Sequence, residues 1–337
     1  MRQNIKFPNP RIITSLERTV HTCRQLALAR LLQWRTRGCR CRSPRPSGCG
    51  SPPPPHGANS CRYSHFFAFG DSLTDTGNFI RYAVPPGSES RPPYGETFFH
   101  RPTGRWSDGR LIVDFIVERL GLPYWPPYLA GKTAEDFRYG ARQDQQAIMA
   151  SSLFLIGEIG ANDYIHPFFQ NKTLGFVKPL IPRVIRFIGL SISTLIKLGA
   201  RTLYVTGVFP LGCLPRYLFF FSRGSGDYPA VGDYNPAVGC LWWLNDLTAH
   251  HNALLKLKLA ELRRAHPGVT IVYVDYYGEV LSVVAAPARY GFDGRAVLDA
   301  CCNGGGPYNG NFTLHCSDRG AVRCADPSRY VSWTGCT

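Results

Sequence analysis

One serine in this chain stands where its hydroxyl could do chemistry. Ser72 lies in the run Gly70-Asp71-Ser72-Leu73-Thr74-Asp75-Thr76-Gly77-Asn78, directly behind the apolar stretch Phe66-Phe67-Ala68-Phe69. A serine just past a strand end, entering a helix, carries its hydroxyl into the mouth of a sheet. Its own backbone N–H then points to where an oxyanion would form. Gly70 and Gly77 permit the tight turn. The chemistry this suits is attack by Ser72 on an acyl carbon; the plain alternative is an ordinary turn rich in Asp and Ser. No CxxC pair or Cys/His set has zinc spacing, so no metal is expected.

The elements that would position this serine read as an alternation. Phe66 to Gly70, Leu153 to Ile159, Arg201 to Gly207 and Val269 to Tyr273 are short buried strands, the last ended by Asp275. Between them, Trp106 to Leu120 has helical spacing with Gly121 beyond its end, and Leu174 to Leu198 reads as a helix interrupted by proline. Leu241 to Ala265 is a long amphipathic helix with Leu244, Leu247, His251, Leu255, Leu259 and Leu262 on one side. Strands alternating with helices predict a parallel sheet covered on both faces, with chemistry beyond the carboxyl ends of its strands.

The chain has 337 residues and a formal net charge of +15, unevenly spread. Residues 1–64 hold twelve Lys or Arg and one acid, Glu17, so +11 of that charge lies there. Residues 1–62 read as a disordered basic Arg/Pro-rich leader and 63–337 as one folded domain. Nucleic-acid binding is not expected, because the body is nearly balanced in charge. The most apolar long stretch, Leu174 to Ala200, contains Lys178, Arg183, Arg186 and Lys197, so no membrane span is expected. Of the 12 cysteines, Cys301, Cys302, Cys316, Cys324 and Cys336 crowd the C-terminus, while Cys213 and Cys240 sit alone mid-chain. Such spacing suits disulfides in an oxidising compartment. The sequons Asn171-Lys172-Thr173 and Asn311-Phe312-Thr313 agree with a secreted glycoprotein, although the N-terminus is a poor signal peptide.

Several ordered blocks resemble the plant-type GDSL esterase/lipase family of the SGNH hydrolases. They are Phe69 to Asn78, Gly104-Arg105-Trp106-Ser107-Asp108-Gly109-Arg110, Gly160-Ala161-Asn162-Asp163-Tyr164, Pro210-Leu211-Gly212-Cys213-Leu214-Pro215, Cys324 to Ser328, and Trp333. The resemblance implies a three-layer α/β/α flavodoxin-like fold and hydrolysis of carboxylic esters with no cofactor. By this resemblance Ser72 is the nucleophile and Asn162 the oxyanion-hole amide, reaching in from the end of the Leu153–Ile159 strand. The implied ligand is a small ester or an acylated glycan or lipid, and the protein is expected to be a monomer. Asp71, Asp75, Asp108, Glu118 and Asp163 lie in or beside these blocks, and buried turn or helix-cap roles are expected of them rather than glycoside chemistry. Trp242, Trp243, Tyr276 and Tyr277 are expected to pack in the core or loops.

The chain departs from the family in two places. The family's oxyanion glycine sits in a small-residue block resembling A-N-F-A-x-G-G-A, after the segment seen here as Asp136 to Ala141. Here Ala141 runs straight into Arg142-Gln143-Asp144-Gln145-Gln146, so no oxyanion glycine is found. Its loss predicts a missing edge strand beside the first. The family's Asp-x-x-His would follow Trp333, yet Thr334 stands at the Asp position and Thr337 at the His position, and the closing helix is missing as well. Threonine is no base near neutral pH. Among the other histidines, His250, His251 and His266 are expected to be surface or core residues, and His315 is the one weak substitute. Little or no activity is therefore expected. The alternatives are a non-catalytic glycan- or ester-binding pseudoenzyme and an incomplete gene model or splice product.

Overall fold

The computed structural model describes residues 63–131, 145–222, 233–311 and 313–334. Four parallel strands form the central sheet in the order β1 (His65–Phe69), β2 (Ser152–Ile156), β3 (Thr202–Thr206) and β4 (Thr270–Val274). The register runs Phe69↔Ile156, Ile156↔Val205 and Thr206↔Val274. Each crossover carries helix, as parallel pairing requires. The main helices are α1 (Ile112–Leu120), α2 (Ala161–Phe169), α3 (Leu180–Lys197), α4 (Pro215–Ser222), α5 (Trp242–Ala265) and α6 (Tyr276–Ala285).

Side chains alternate across the sheet and so create two cores. Phe66, Leu153 and Leu155 face α1 through Leu111, Val113 and Val117. Phe154, Ile156, Leu203 and Val205 face the opposite layer, where α2, α3 and α5 contribute Tyr164, Ile188, Ile192, Leu255 and Leu259. Helices therefore cover both faces, as the alternation predicts, and the stripe Leu244, Leu247, His251, Leu255, Leu259 and Leu262 is buried throughout. By length and composition the stretch Leu174–Lys197 could cross a membrane. Here it breaks at Lys178 and Pro179, and α3 lays Ile181, Ile185, Ile188, Ile192 and Ile196 into the core.

Among the described residues β1 is an edge strand, in keeping with the expected loss of a neighbour. Segment 132–144, where the family block is missing, lies outside the described residues. A second, small sheet, β6 (Val322–Arg323), β5 (Ala300–Asn303), β7 (Ser332–Thr334), builds a C-terminal lobe. Disulfides Cys301–Cys324 and Cys302–Cys316 close it. Cys213 and Cys240, which look solitary in the sequence, are bonded to each other. Their 27-residue separation hides a contact made when the loop after β3 meets the start of α5.

Candidate active site

Ser72 sits half-buried just past the carboxyl end of β1. It does not enter a helix as expected. The chain instead forms a turn, Thr74 N–H donating to Asp71 O at 3.1 Å, and the next helix is one short turn, Phe79–Tyr82. Two carboxylates shape this loop. Asp71 Oδ1 accepts from Leu73 N–H at 3.0 Å. Asp75 accepts from the N–H groups of Gly77, Asn78 and Phe79 at 2.9, 2.6 and 2.9 Å and from Asn78 Nδ2 at 3.0 Å. Gly77 has φ +124°, and a β-carbon there would run into Thr103 O, so only glycine fits.

Asn162 is not at a strand end but is the second residue of α2, half-buried. β2 stops at Ile156, and Gly157 to Gly160 turn the chain into the helix. Gly160 adopts φ +115°, where a β-carbon would lie 2.9 Å from Val184 Cγ1 and 3.1 Å from Tyr164 Oη. The helix is fixed from below by a bond of 2.6 Å between Tyr164 Oη and His251 Nδ1. His251 is fully buried on α5, and burial, with the charge of His250, pushes its pKa down to about 4. It remains neutral at physiological pH and belongs to the scaffold, as expected of a core histidine.

The Gly104–Arg110 block has a structural role that its sequence does not announce. Arg105 binds Asp114 of α1 through Nε at 2.9 Å and Nη2 at 2.7 Å, both side chains buried, and its Nη1 reaches Thr76 O at 3.4 Å. Asp114 also accepts from Leu111 N–H at 2.8 Å. One guanidinium thus ties the loop that follows Ser72 to α1. The loop after β3 is held in a similar way: Asn252 brackets Val208 (2.8 and 2.7 Å) and Asn245 accepts from Gly212 N–H at 2.8 Å. The only hint in the sequence is polar residues interrupting the apolar side of α5.

Of the other carboxylates, Asp71 and Asp75 hold turns, as expected, but Glu118 is exposed and pairs with Arg110 at 2.6 Å, and Asp163 is exposed on α2. Asp275 ends β4, as expected, and also caps α6 by accepting from Gly278 N–H at 3.2 Å. Trp243 and Tyr276 are buried, whereas Trp242 is largely exposed. A further acid missed by sequence reasoning is Glu89, fully buried, both of whose carboxyl oxygens lack a hydrogen-bond partner. Burial, reinforced by Asp75, lifts it to about 7.

Thr334 is buried in β7 beside Cys302, and Thr337 lies outside the described residues. Among the described residues no imidazole nitrogen hydrogen bonds the Ser72 hydroxyl. His65 Nδ1 meets Ser64 Oγ at 2.9 Å, and His100 Nδ1 meets Glu96 O at 3.0 Å. His315 donates its backbone N–H to Asp318 Oδ2 at 2.8 Å, and burial, with Arg216 and Arg91 nearby, keeps its ring pKa low. Among the described residues no group of His, Cys, Asp and Glu could hold a metal ion.

Comparison with known proteins gives a consistent picture. The sequence model of the GDSL-like Lipase/Acylhydrolase family matches residues 66–321. A GDSL esterase/lipase of Arabidopsis thaliana is 39% identical over 324 residues, covering 82% of this chain and 81% of the relative. A second from that plant is 39% identical over 321 residues (81% and 80%). Sinapine esterase of Brassica napus is 38% identical over 325 residues, covering 82% of each.

Proposed function

The chain belongs to the GDSL-like lipase/acylhydrolase family, and from that premise we propose that Ser72 and Asn162, which follow the neighbouring strands β1 and β2, form a carboxylic-ester site that binds esters and hydrolyses them negligibly. In a complete site the Ser72 hydroxyl would lose its proton to an imidazole as its oxygen attacks the acyl carbon. The carbonyl oxygen, now an oxyanion, would accept from the Asn162 amide and the Ser72 backbone N–H. The tetrahedral intermediate would collapse by breaking the ester C–O bond, the imidazolium returning its proton to the departing alcohol, and water would then hydrolyse the acyl-serine to the carboxylic acid and free Ser72. The one observation that carries the low activity is that the Ser72 hydroxyl has no imidazole partner among the described residues, while Thr334 occupies the acid's position in β7. An unassisted serine is a weak nucleophile. Loss of triad members leaves about 10³–10⁴-fold catalysis over water even where the oxyanion hole is intact.

Substrates fitting this reading are small esters or acylated glycans and lipids, met by a secreted, glycosylated monomer. Three disulfides among the described residues suit an oxidising compartment. The test is purified protein with a short-chain p-nitrophenyl ester, and with sinapine because of the Brassica relative. Turnover is expected to match the Ser72→Ala variant; activity that Ser72→Ala abolishes overturns the proposal. A non-catalytic binding role is favoured by a cavity of about 470 Å³ lined by Phe219, Gly304, Gly305, Gly306, Pro307, Asn311 and Thr313. An aromatic ring beside backbone amides and a hydroxyl suits a sugar face. Binding of an acylated glycan that survives Ser72→Ala would support that role.

A further inference from the structure

The ends of β1 and β2 bring two acids together. The strands pair Phe69 with Ile156, and Gly157 N–H donates to Phe69 O at 2.6 Å, one rung further. Asp71 and Glu158 are each the second residue past these strand ends, near enough that the Asp71 charge acts on Glu158. Gly70 and Gly157 let the backbones close up, for a β-carbon on Gly157 would lie 3.2 Å from Gly70 Cα. Glu158 is 2% exposed and its Oε2 has no hydrogen-bond partner. Asp71 Oδ1 holds the Leu73 amide of the nucleophile turn. The other titratable group facing the pair is Tyr276, 5% exposed at the start of α6, whose phenol is pushed well up by burial and by the charges of Glu158 and Asp71.

We propose that Glu158 is a positioning residue for the Ser72 turn: it shares one proton with Asp71 and so keeps the Asp71 carboxyl on the Leu73 amide. Glu158 is buried and Asp71 half-buried, and two neighbouring carboxylates withdrawn from water in this way cannot both stay ionised. The Leu73 N–H favours the charged form of Asp71, so the proton resides on Glu158, whose O–H then donates to Asp71. Protonation also gives the orphaned Glu158 oxygen a role that no ionised carboxylate could fill. Burial raises both groups, Asp71 to about 6, and the Asp71 charge raises Glu158 further. Because the folded pKa lies above the unfolded value, protection is complete below the unfolded pKa near 4 and is lost as pH rises through the folded one.

The reading rests on Ser72 as nucleophile only for its catalytic consequence. Its test is amide hydrogen exchange at Leu73 in the full chain, corrected for intrinsic exchange, above about pH 6, where Asp71 is ionised and Glu158 holds the proton. The opening constant of the wild type is expected to rise by about tenfold per pH unit, the linkage of one proton. Glu158→Gln, a neutral donor of the same shape, should keep the low-pH protection and show no slope, and Glu158→Leu should lose protection at every pH. A Glu158→Gln protein that follows the wild-type slope overturns the proposal. Should that variant not fold, Asp71→Asn gives a second test: without the Asp71 charge the rise should level off at a lower pH than in the wild type, and an unchanged profile is equally fatal. Ester turnover enters none of these readouts, so failure of the ester-site proposal leaves this one standing or falling by itself.

Discussion

Leu203, Ile192, Leu255 and Leu259 are wholly buried around the parallel sheet, each among apolar neighbours from three or more elements. The C-terminal lobe has nothing comparable. Its interior is Tyr94, Trp333 and the half-cystines Cys301, Cys302 and Cys316, and two disulfides take the place of a large core. It meets α4, where Phe219 packs on Gly306 and Gly310, and the segment before α1: the Tyr94 and Trp333 rings lie 6.4 Å apart, Arg323 pairs with Glu96, and Arg91 pairs with Asp318 at 3.1 Å. The contrast bears on function. Ser72 and Asn162 are set by sheet and helix packing, which a large core makes robust. The family's acid and base would follow Trp333 in the lobe, and that is where this chain carries threonine. The Ser72 turn and the Asn162 helix thus rest on the large core, while the segment around Trp333 rests on the small, disulfide-closed lobe.

Three substitutions would break or sharpen this contrast. The largest effect is expected on the core side. Asp114→Ala leaves the Arg105 guanidinium buried without its partner and should cost about 3–5 kcal/mol, read as a lower denaturation midpoint for the whole sheet. It should also loosen the nucleophile loop, because Arg105 holds Thr76 O. Next, Cys302→Ser with Cys316→Ser should cost about 2–4 kcal/mol and confine its effect to the lobe. Increased hydrogen exchange in residues 300–334 with unchanged exchange in β2 and β3 is the expected pattern, and equal loss in the sheet would erase the distinction between the regions. The smallest effect is expected at the docking seam. Glu96→Gln removes a partly exposed ion pair with Arg323 and should cost no more than about 1 kcal/mol, seen as a slight shift in midpoint that high salt reduces further.

Much of the scaffold was legible in advance because it is written in local periodicity. Phe66–Phe69 reads as a strand, the six-residue apolar side of α5 reads as a helix face, and Gly121 reads as a helix stop; in the structure Gly121 indeed caps α1 with φ +69°. The Ser72 turn was legible too, because glycine and aspartate spacing reflects turn chemistry. Asn162 was misplaced by one element: a Gly-rich run after a strand can end in a loop or a helix, and Gly160 chooses the helix by packing on Tyr164 and Val184. Glu89 and the Arg105–Asp114 pair carried no signal, since charged side chains are ordinarily solvated and only enclosure by other segments makes them otherwise.

The sequence alone determined the order of strands and helices, and the serine turn and its family. These depend on residues close together in the chain. Only the tertiary structure decided that Cys213 joins Cys240 and that His251 supports the Asn162 helix through Tyr164. Each is a contact between segments at least 27 residues apart. Such contacts arise when apolar faces stack and the strand register locks, and no local pattern encodes which polar groups that stacking will bring together.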